Sequence, residues 1–268
     1  MEPEIESLKA RLKATWMAGD YDHFSRYMEH DARVFYERLD VPAGCELLDV
    51  ACGSGQLALL AARDGVKVTG IDIAPNLIQR AQARAKAEGL NATFMEADAE
   101  CLPFEDASFD LVTSLIGAMF APRPELVAQE LVRVCNPGGT IAMANWTPQG
   151  FVGQMFKAIS KFIAPSGMPS PVLWGDEAVV RERLGFGTSD LTMTRRLYNL
   201  SYPFSPVEVV EFFRQYYGPS NRAFSALDES QGAKLRAELE ALWSSNNLGQ
   251  EGFTLVQAEY LEVIAVRK

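Results

Sequence analysis

Histidine is almost missing from this sequence: only His23 and His30 occur among 268 residues. A metal centre built on imidazole lacks ligands here, and no metal site is expected. The four cysteines, Cys45, Cys52, Cys101 and Cys135, stand far apart with no C-x-x-C pair. They read as small buried hydrophobes of a reducing compartment rather than a disulfide or zinc framework. Basic residues are also scarce, with 25 Lys and Arg against 35 Asp and Glu and a net charge of −10. Phosphate contacts need cations, so nucleic acid is not an expected partner. Long apolar runs are absent. The stretch Leu111 to Ala121 contains Thr113 and Ser114 and falls short of the roughly 20 residues a membrane span requires. The start, Met1-Glu2-Pro3-Glu4-Ile5-Glu6, is acidic and has no apolar segment, unlike a signal peptide. The expected location is cytoplasmic.

What is present suits one large α/β domain: 48% hydrophobic and 22% charged residues are ordinary for a globular chain of this length. Its organising stretch is Leu47-Leu48-Asp49-Val50-Ala51-Cys52-Gly53-Ser54-Gly55-Gln56-Leu57-Ala58. A buried strand runs into two glycines and then into an amphipathic helix. Such a turn sets free backbone N–H groups and a positive helix end beside a crevice. Before it, residues 3–17 and 21–39 carry apolar side chains at helical spacing. After it, strands at 45–50, 66–72, 92–98, 109–116 and 140–146 alternate with helices at 56–64, 75–87 and 124–134, the pattern of a doubly wound, mostly parallel sheet. Pro137-Gly138-Gly139 reads as a helix stop and turn.

Residues 147–220 differ, holding 12 of the chain's 27 aromatic side chains. Pro165, Pro169 and Pro171 break this region up. Helices are expected at 152–162, 176–184, 207–217 and 233–243, with strands at 191–200 and 253–266. Two late strands separated by helices make one antiparallel strand the simplest outcome. The whole is expected to be a single domain over 1–268. Residues 1–44 form an N-terminal helical cover, 45–146 a ligand-binding core, 147–220 an inserted lid with strand six, and 221–268 a last helix and strand.

Three carboxylates fall at or near the ends of successive strands: Asp49, Asp72 and Asp98. Those ends line the ligand crevice of an open α/β sheet. Asp72 lies 17 residues beyond Gly55, near the ~20 expected of a ribose-binding carboxylate. Gly53-Ser54-Gly55-Gln56-Leu57-Ala58 also matches G-x-G-x-x-G/A, so a dinucleotide dehydrogenase must be weighed. A pyrophosphate at this turn would meet the like charge of Asp49, with no Arg or Lys in the turn to compensate. A cationic nucleoside suits the acidic ladder better, since charge-assisted hydrogen bonds are worth roughly 1.5–3 kcal/mol each.

Leu47-Leu48-Asp49-x-x-x-Gly53-x-Gly55, Gly70-Ile71-Asp72-Ile73, Glu96-Ala97-Asp98-Ala99, Pro103-Phe104-x-x-x-x-Phe109-Asp110-Leu111-Val112 and Glu130-Leu131-x-Arg133-Val134-x-x-Pro137-Gly138-Gly139 follow one another in order. In this series residues 45–146 resemble class I S-adenosylmethionine-dependent methyltransferases, of the type 11, ubiquinone/menaquinone-biosynthesis-like group. The resemblance implies seven strands in the order 3-2-1-4-5-7-6 with strand seven antiparallel, and S-adenosylmethionine as cofactor. It implies that Asp49 orients the methionyl amino group while Gly53 and Gly55 pass close to the methionyl part and ribose. It further implies that Asp72 accepts the ribose hydroxyls, Ile73 lies against adenine, Asp98 and Ala99 bind the adenine edge, and Leu115 faces the methionyl chain or reaction centre.

The expected acceptor is a small, apolar or aromatic molecule. The Asn/Asp-Pro-Pro-Tyr/Phe turn of amino-directed DNA methyltransferases is replaced by Ser114-Leu115-Ile116-Gly117-Ala118-Met119-Phe120. The Pro-Cys nucleophile of cytosine-C5 enzymes is also missing there. His23 is the one evident candidate for a general base, while His30, in Glu29-His30-Asp31, reads as solvent-facing. Tyr21, Trp146, Phe151, Met155, Phe156 and Trp174 are candidates to line an acceptor pocket. A non-catalytic protein of the same fold is the alternative.

Overall fold

The structure is a computed structural model that describes residues 3–163 and 167–268; the expected break at Pro165 lies outside them. Its centre is a seven-stranded sheet in the order β3-β2-β1-β4-β5-β7-β6. The strands are β1 (Glu46–Val50), β2 (Lys67–Asp72), β3 (Ala92–Glu96), β4 (Phe109–Leu115), β5 (Cys135–Trp146), β6 (Thr188–Tyr202) and β7 (Thr254–Arg267). The first five pair in parallel, and β7 runs antiparallel to both β5 and β6. Leu47, Leu48 and Val50 of β1 and Ile141 to Ala144 of β5 are wholly buried. Both sheet faces are therefore covered, as continuous apolar strands require.

The helices are α1 (Pro3–Trp16), α2 (Tyr21–Ser25), α3 (Glu29–Arg38), α4 (Gln56–Arg63), α5 (Pro75–Glu88), α6 (Pro124–Val134), α7 (Phe151–Ser160), α8 (Glu177–Leu184), α9 (Pro206–Tyr216), α10 (Gly218–Ser225) and α11 (Glu229–Asn246). The expected helix over 21–39 is broken into α2, a 3-10 turn at Arg26–Met28 and α3. At the break the Met28 carbonyl accepts the Tyr198 hydroxyl at 2.5 Å, a tertiary contact that competes with a regular helix. Asp20 caps α2 by accepting the His23 N–H at 3.1 Å.

Pro137-Gly138-Gly139 lies within β5 rather than in a turn, at a register irregularity opposite Phe109 and Leu111. Helix α10 was not expected. It opens on Gly218, where a Cβ would stand 2.1 Å from the Thr15 carbonyl oxygen, so the glycine lets α10 dock directly on the end of α1.

Candidate active site

The carboxyl ends of β1 to β4 open onto a cleft of about 890 Å³, mouth included. Its floor is the turn between β1 and α4. Gly53 and Gly55 have φ of +57° and +87°, a left-handed conformation that glycine adopts without penalty. Gly53 lines the cleft under the ring of Tyr21, and a Cβ there would come within 3.2 Å of Tyr21 Cε1. Gly55 does not line it. A Cβ at Gly55 would press on Leu59 and Ala81 at 3.2–3.3 Å, so this glycine serves the turn and the packing of α4 against α5. Ala51 and Ile116, at φ +58° and +53°, are left-handed without being glycine. Both border the cleft, where backbone strain of this kind tends to gather.

Asp49, Asp72 and Asp98 all line the cleft, together with Ile73, Ala99 and Leu115. Asp49 stands beside Thr113 in the β1–β4 ladder, and its carboxylate accepts the Thr113 hydroxyl at 3.2 Å. Burial pushes the Asp49 carboxyl up to about 7, against the Thr113 hydrogen bond. Asp72 accepts the Gly53 N–H at 2.9 Å and the Ala74 N–H at 2.8 Å. It thereby ties the glycine turn to the end of β2. Burial pushes its carboxyl up to about 6, opposed by those backbone donors. Asp98 lies just past β3, accepting the Glu100 N–H at 2.9 Å.

Helix α1 closes this end of the cleft. Lys9, Leu12 and Trp16, on one face of it, line the cavity. Lys9 pairs with Asp98 and, at 2.5 Å, with Glu100, whose buried side chain also binds Arg123 at 2.7 Å. Sequence reasoning missed Lys9 and Trp16, because which way a terminal helix faces depends on its docking. The one available signal was the apolar spacing that ends on Trp16.

A second cavity, about 380 Å³ with its mouth included, adjoins the first and shares Trp16, Tyr21, Ile116 and Phe120 with it. Its other walls are Phe24 and Met28 from the N-terminal helices, Trp146 from β5, Val152 and Met155 from α7, Leu200 from β6, and Phe213 and Tyr217. Tyr21, Trp146 and Met155, expected from the sequence, are thus brought together. Phe151, Phe156 and Trp174 are not. Phe151 packs on Trp243 with ring centroids 4.5 Å apart, and Phe156 meets Phe120 from outside at 6.2 Å. Trp174 is fully buried with the Arg183 guanidinium over its ring at 4.7 Å.

His23 lines neither cavity. Its ring sits against Tyr216 at 4.7 Å and Phe212 at 5.6 Å. Among the described residues no group of three or more His, Cys, Asp or Glu side chains is placed to hold a metal ion, and no helix is long and apolar enough to cross a membrane.

The donor set fits an adenosyl sulfonium amino acid. Three carboxylates lie along the strand ends and a Cβ-free approach leads to the turn, while Lys9, the one cationic side chain at the cleft among the described residues, is already paired. Comparison with known proteins agrees with that fit. Residues 48–143 match the family described as "Methyltransferase domain". The uncharacterized protein Rv1405c of Mycobacterium tuberculosis is 39% identical over 240 residues, 88% of this chain and 87% of that one. Demethylmenaquinone methyltransferase of Thermus thermophilus is 34% identical over 158 residues, covering 56% of this chain and 72% of that enzyme. The fold is shared with phosphoethanolamine N-methyltransferase 2 of Haemonchus contortus, solved in complex with S-adenosyl-L-methionine. The TM-score is 0.58 at 18% identity, over 89% of this chain and 52% of that one. With the seven-stranded order, the motif series and these relatives in agreement, the chain belongs to the class I methyltransferases of type 11, enzymes that depend on S-adenosylmethionine.

Proposed function

We propose that this enzyme methylates a small, apolar or aromatic molecule held in the aromatic cavity, with S-adenosylmethionine in the adjoining cleft. The observation that carries the reading is the wall common to both cavities, Trp16, Tyr21, Ile116 and Phe120. Across that wall a donor methyl and an acceptor atom can meet at the ~3–3.5 Å that displacement needs.

In this reading Asp49 binds the methionyl ammonium, and Asp72 accepts both ribose hydroxyls on lone pairs left free by Gly53 and Ala74. Asp98 and the Ala99 N–H hold the adenine edge, with Ile73 against its face. Leu115 lies toward the reaction centre. Bound there, S-adenosylmethionine supplies an activated methyl group. The chain's own residues orient it, desolvate the acceptor and exclude water.

Phosphorylated or carboxylated acceptors fit poorly, because no Lys, Arg or His lines the aromatic cavity among the described residues. The net charge of −10 speaks against nucleic acid. Release of S-adenosylhomocysteine across a panel of small acceptors tests the proposal, together with the cavity-filling variant Met155→Trp. Turnover should be lost in the variant while affinity for S-adenosylmethionine is kept. Unchanged turnover with the cavity filled would refute it.

A further inference from the structure

The aromatic cavity is notable for the chemistry absent from its walls. Its lining is made of aromatic rings, Met28, Met155 and aliphatic side chains, with no carboxylate, imidazole, ammonium or guanidinium among the described residues. Its titratable groups are two phenols, Tyr21 on α2 and Tyr217 at the junction of α9 and α10. Burial pushes both well above the ordinary tyrosine value, and for Tyr21 the Asp72 charge adds to the effect. Both therefore stay protonated at neutral pH and can donate a hydrogen bond but cannot take a proton. The groups across the shared wall are Asp49, Asp72, Asp98 and Lys9. The proposed cofactor contacts engage the first three, and Lys9 is paired to Asp98 and Glu100. His23 faces α9 through Phe212 and Tyr216, away from the cavity.

Resting on the function proposed above, we infer that the acceptor is a weak acid without a charged handle, a thiol or an acidic phenol or enol. It attacks as its own conjugate base, and no residue of the protein serves as general base. The acceptor gives its proton to water before it is enclosed. Its lone pair then forms the bond to the methyl carbon while the carbon–sulfur bond of the sulfonium breaks, that electron pair remaining on sulfur. The products are the methylated acceptor and S-adenosylhomocysteine, both without the charges that reacted.

An anion and a sulfonium that neutralise each other gain from a cavity of low dielectric constant, where their attraction is least screened. Neutral alcohols, whose proton no residue can accept, gain nothing there. Alkyl amines are ammonium ions near pH 7, and aromatic faces would hold that cation by cation–π attraction. In that form they have no lone pair to offer.

The test measures S-adenosylhomocysteine formation at saturating S-adenosylmethionine with ring-substituted thiophenols, phenols, alkyl amines and alkyl alcohols of cavity size, from about pH 5.5 to about pH 9.5. Thiols and acidic phenols should exceed alcohols and amines by roughly a hundredfold or more in kcat/KM. The rising limb of the pH profile should follow each acceptor's own pKa, moving by about one pH unit per unit. The thiophenol and phenol series tell the two sources of acidity apart. A limb fixed at one pH for every acceptor would reveal a protein base and overturn the inference. So would alcohols or amines turning over as fast as thiols, although methyl transfer in this cavity would then stand. S-adenosylmethionine binding with no turnover in any class would instead bring down the proposed function, and this inference with it.

Discussion

Asp49 and Asp72 are carboxyl groups buried at the point where a cationic ligand is proposed to bind, and their titration makes a prediction. Burial pushes them up to about 7 and about 6 in the free protein, against about 3.9 for an aspartate in water. Their folded values are raised, so the folded chain holds protons that the unfolded chain has already lost. Below pH ~4 these groups cost nothing. As pH rises from there through 6 and 7 the free protein loses stability on their account. In the proposed arrangement the ligand ammonium favours the ionised form of Asp49 and the ribose hydroxyls, as donors, favour that of Asp72, so both return toward ordinary values. Binding of S-adenosylmethionine should therefore release protons below about pH 7. Affinity should rise by up to tenfold per pH unit for each carboxyl, up to about pH 6 for Asp72 and about pH 7 for Asp49, and level off above. Calorimetric titration in two buffers of different ionisation enthalpy measures both quantities. A pH-independent affinity with no proton release would contradict the placement of the ligand's ammonium on Asp49 and its hydroxyls on Asp72.

At the scale of elements, helix α1 does most to complete the cleft, and it was the least legible part of the site. The glycine turn and the acidic ladder could be read from the sequence because each motif is local: strand, turn and carboxylate follow one another within a few residues. Lys9 and Trp16 reach the cleft only because α1 docks across it. That docking depends on Gly218 admitting the Thr15 carbonyl and on the Arg222 side chain donating to the Ala14 carbonyl at 3.1 Å, contacts some 200 residues away in sequence. The same holds for the 147–220 segment. Its aromatic enrichment was visible, but which rings would face a cavity was set by partners such as Trp243 for Phe151 and Arg183 for Trp174.

Lys9 offers a test of α1 as a structural cover. Lys9→Met removes the ammonium between Asp98 and the buried Glu100, leaving Glu100 with Arg123. Removing one of the two cations that hold this buried carboxylate costs about 1.5–3 kcal/mol, a loss that urea unfolding would register. A change under about 0.5 kcal/mol, the range of ordinary surface substitutions, would show that α1 is not anchored there.

Over the whole molecule, the N-terminal helices and the C-terminal third are joined by one aromatic cluster that also walls the aromatic cavity. Phe24 stacks on Tyr217 at 4.8 Å and meets Phe213 at 4.9 Å, and Phe213 in turn packs on Trp243 at 5.1 Å. Trp243 further contacts Phe151 and Tyr202. Trp243→Ala should cost about 3–5 kcal/mol of stability. By loosening Phe213 it should raise the acceptor KM while leaving S-adenosylmethionine affinity intact; loss of both affinities together would mean that the two cavities do not divide the ligands as proposed.

The fold class was readable because β-strand and helix alternate through residue 146; one antiparallel strand followed from two late strands that cannot both be right-handed crossovers, and the family resemblance identified it as strand seven. The central claim is that Asp72, at the end of β2, holds the cofactor ribose. It is tested most directly by calorimetric titration of S-adenosylmethionine into the parent enzyme and Asp72→Ala, with thermal unfolding to verify that the variant is folded. The account predicts binding in the roughly micromolar range for the parent. It predicts binding weaker by on the order of 30-fold to 1,000-fold in the variant, the equivalent of about 2–4 kcal/mol of charge-assisted hydrogen bonds. Equal affinity in the two folded proteins would contradict it.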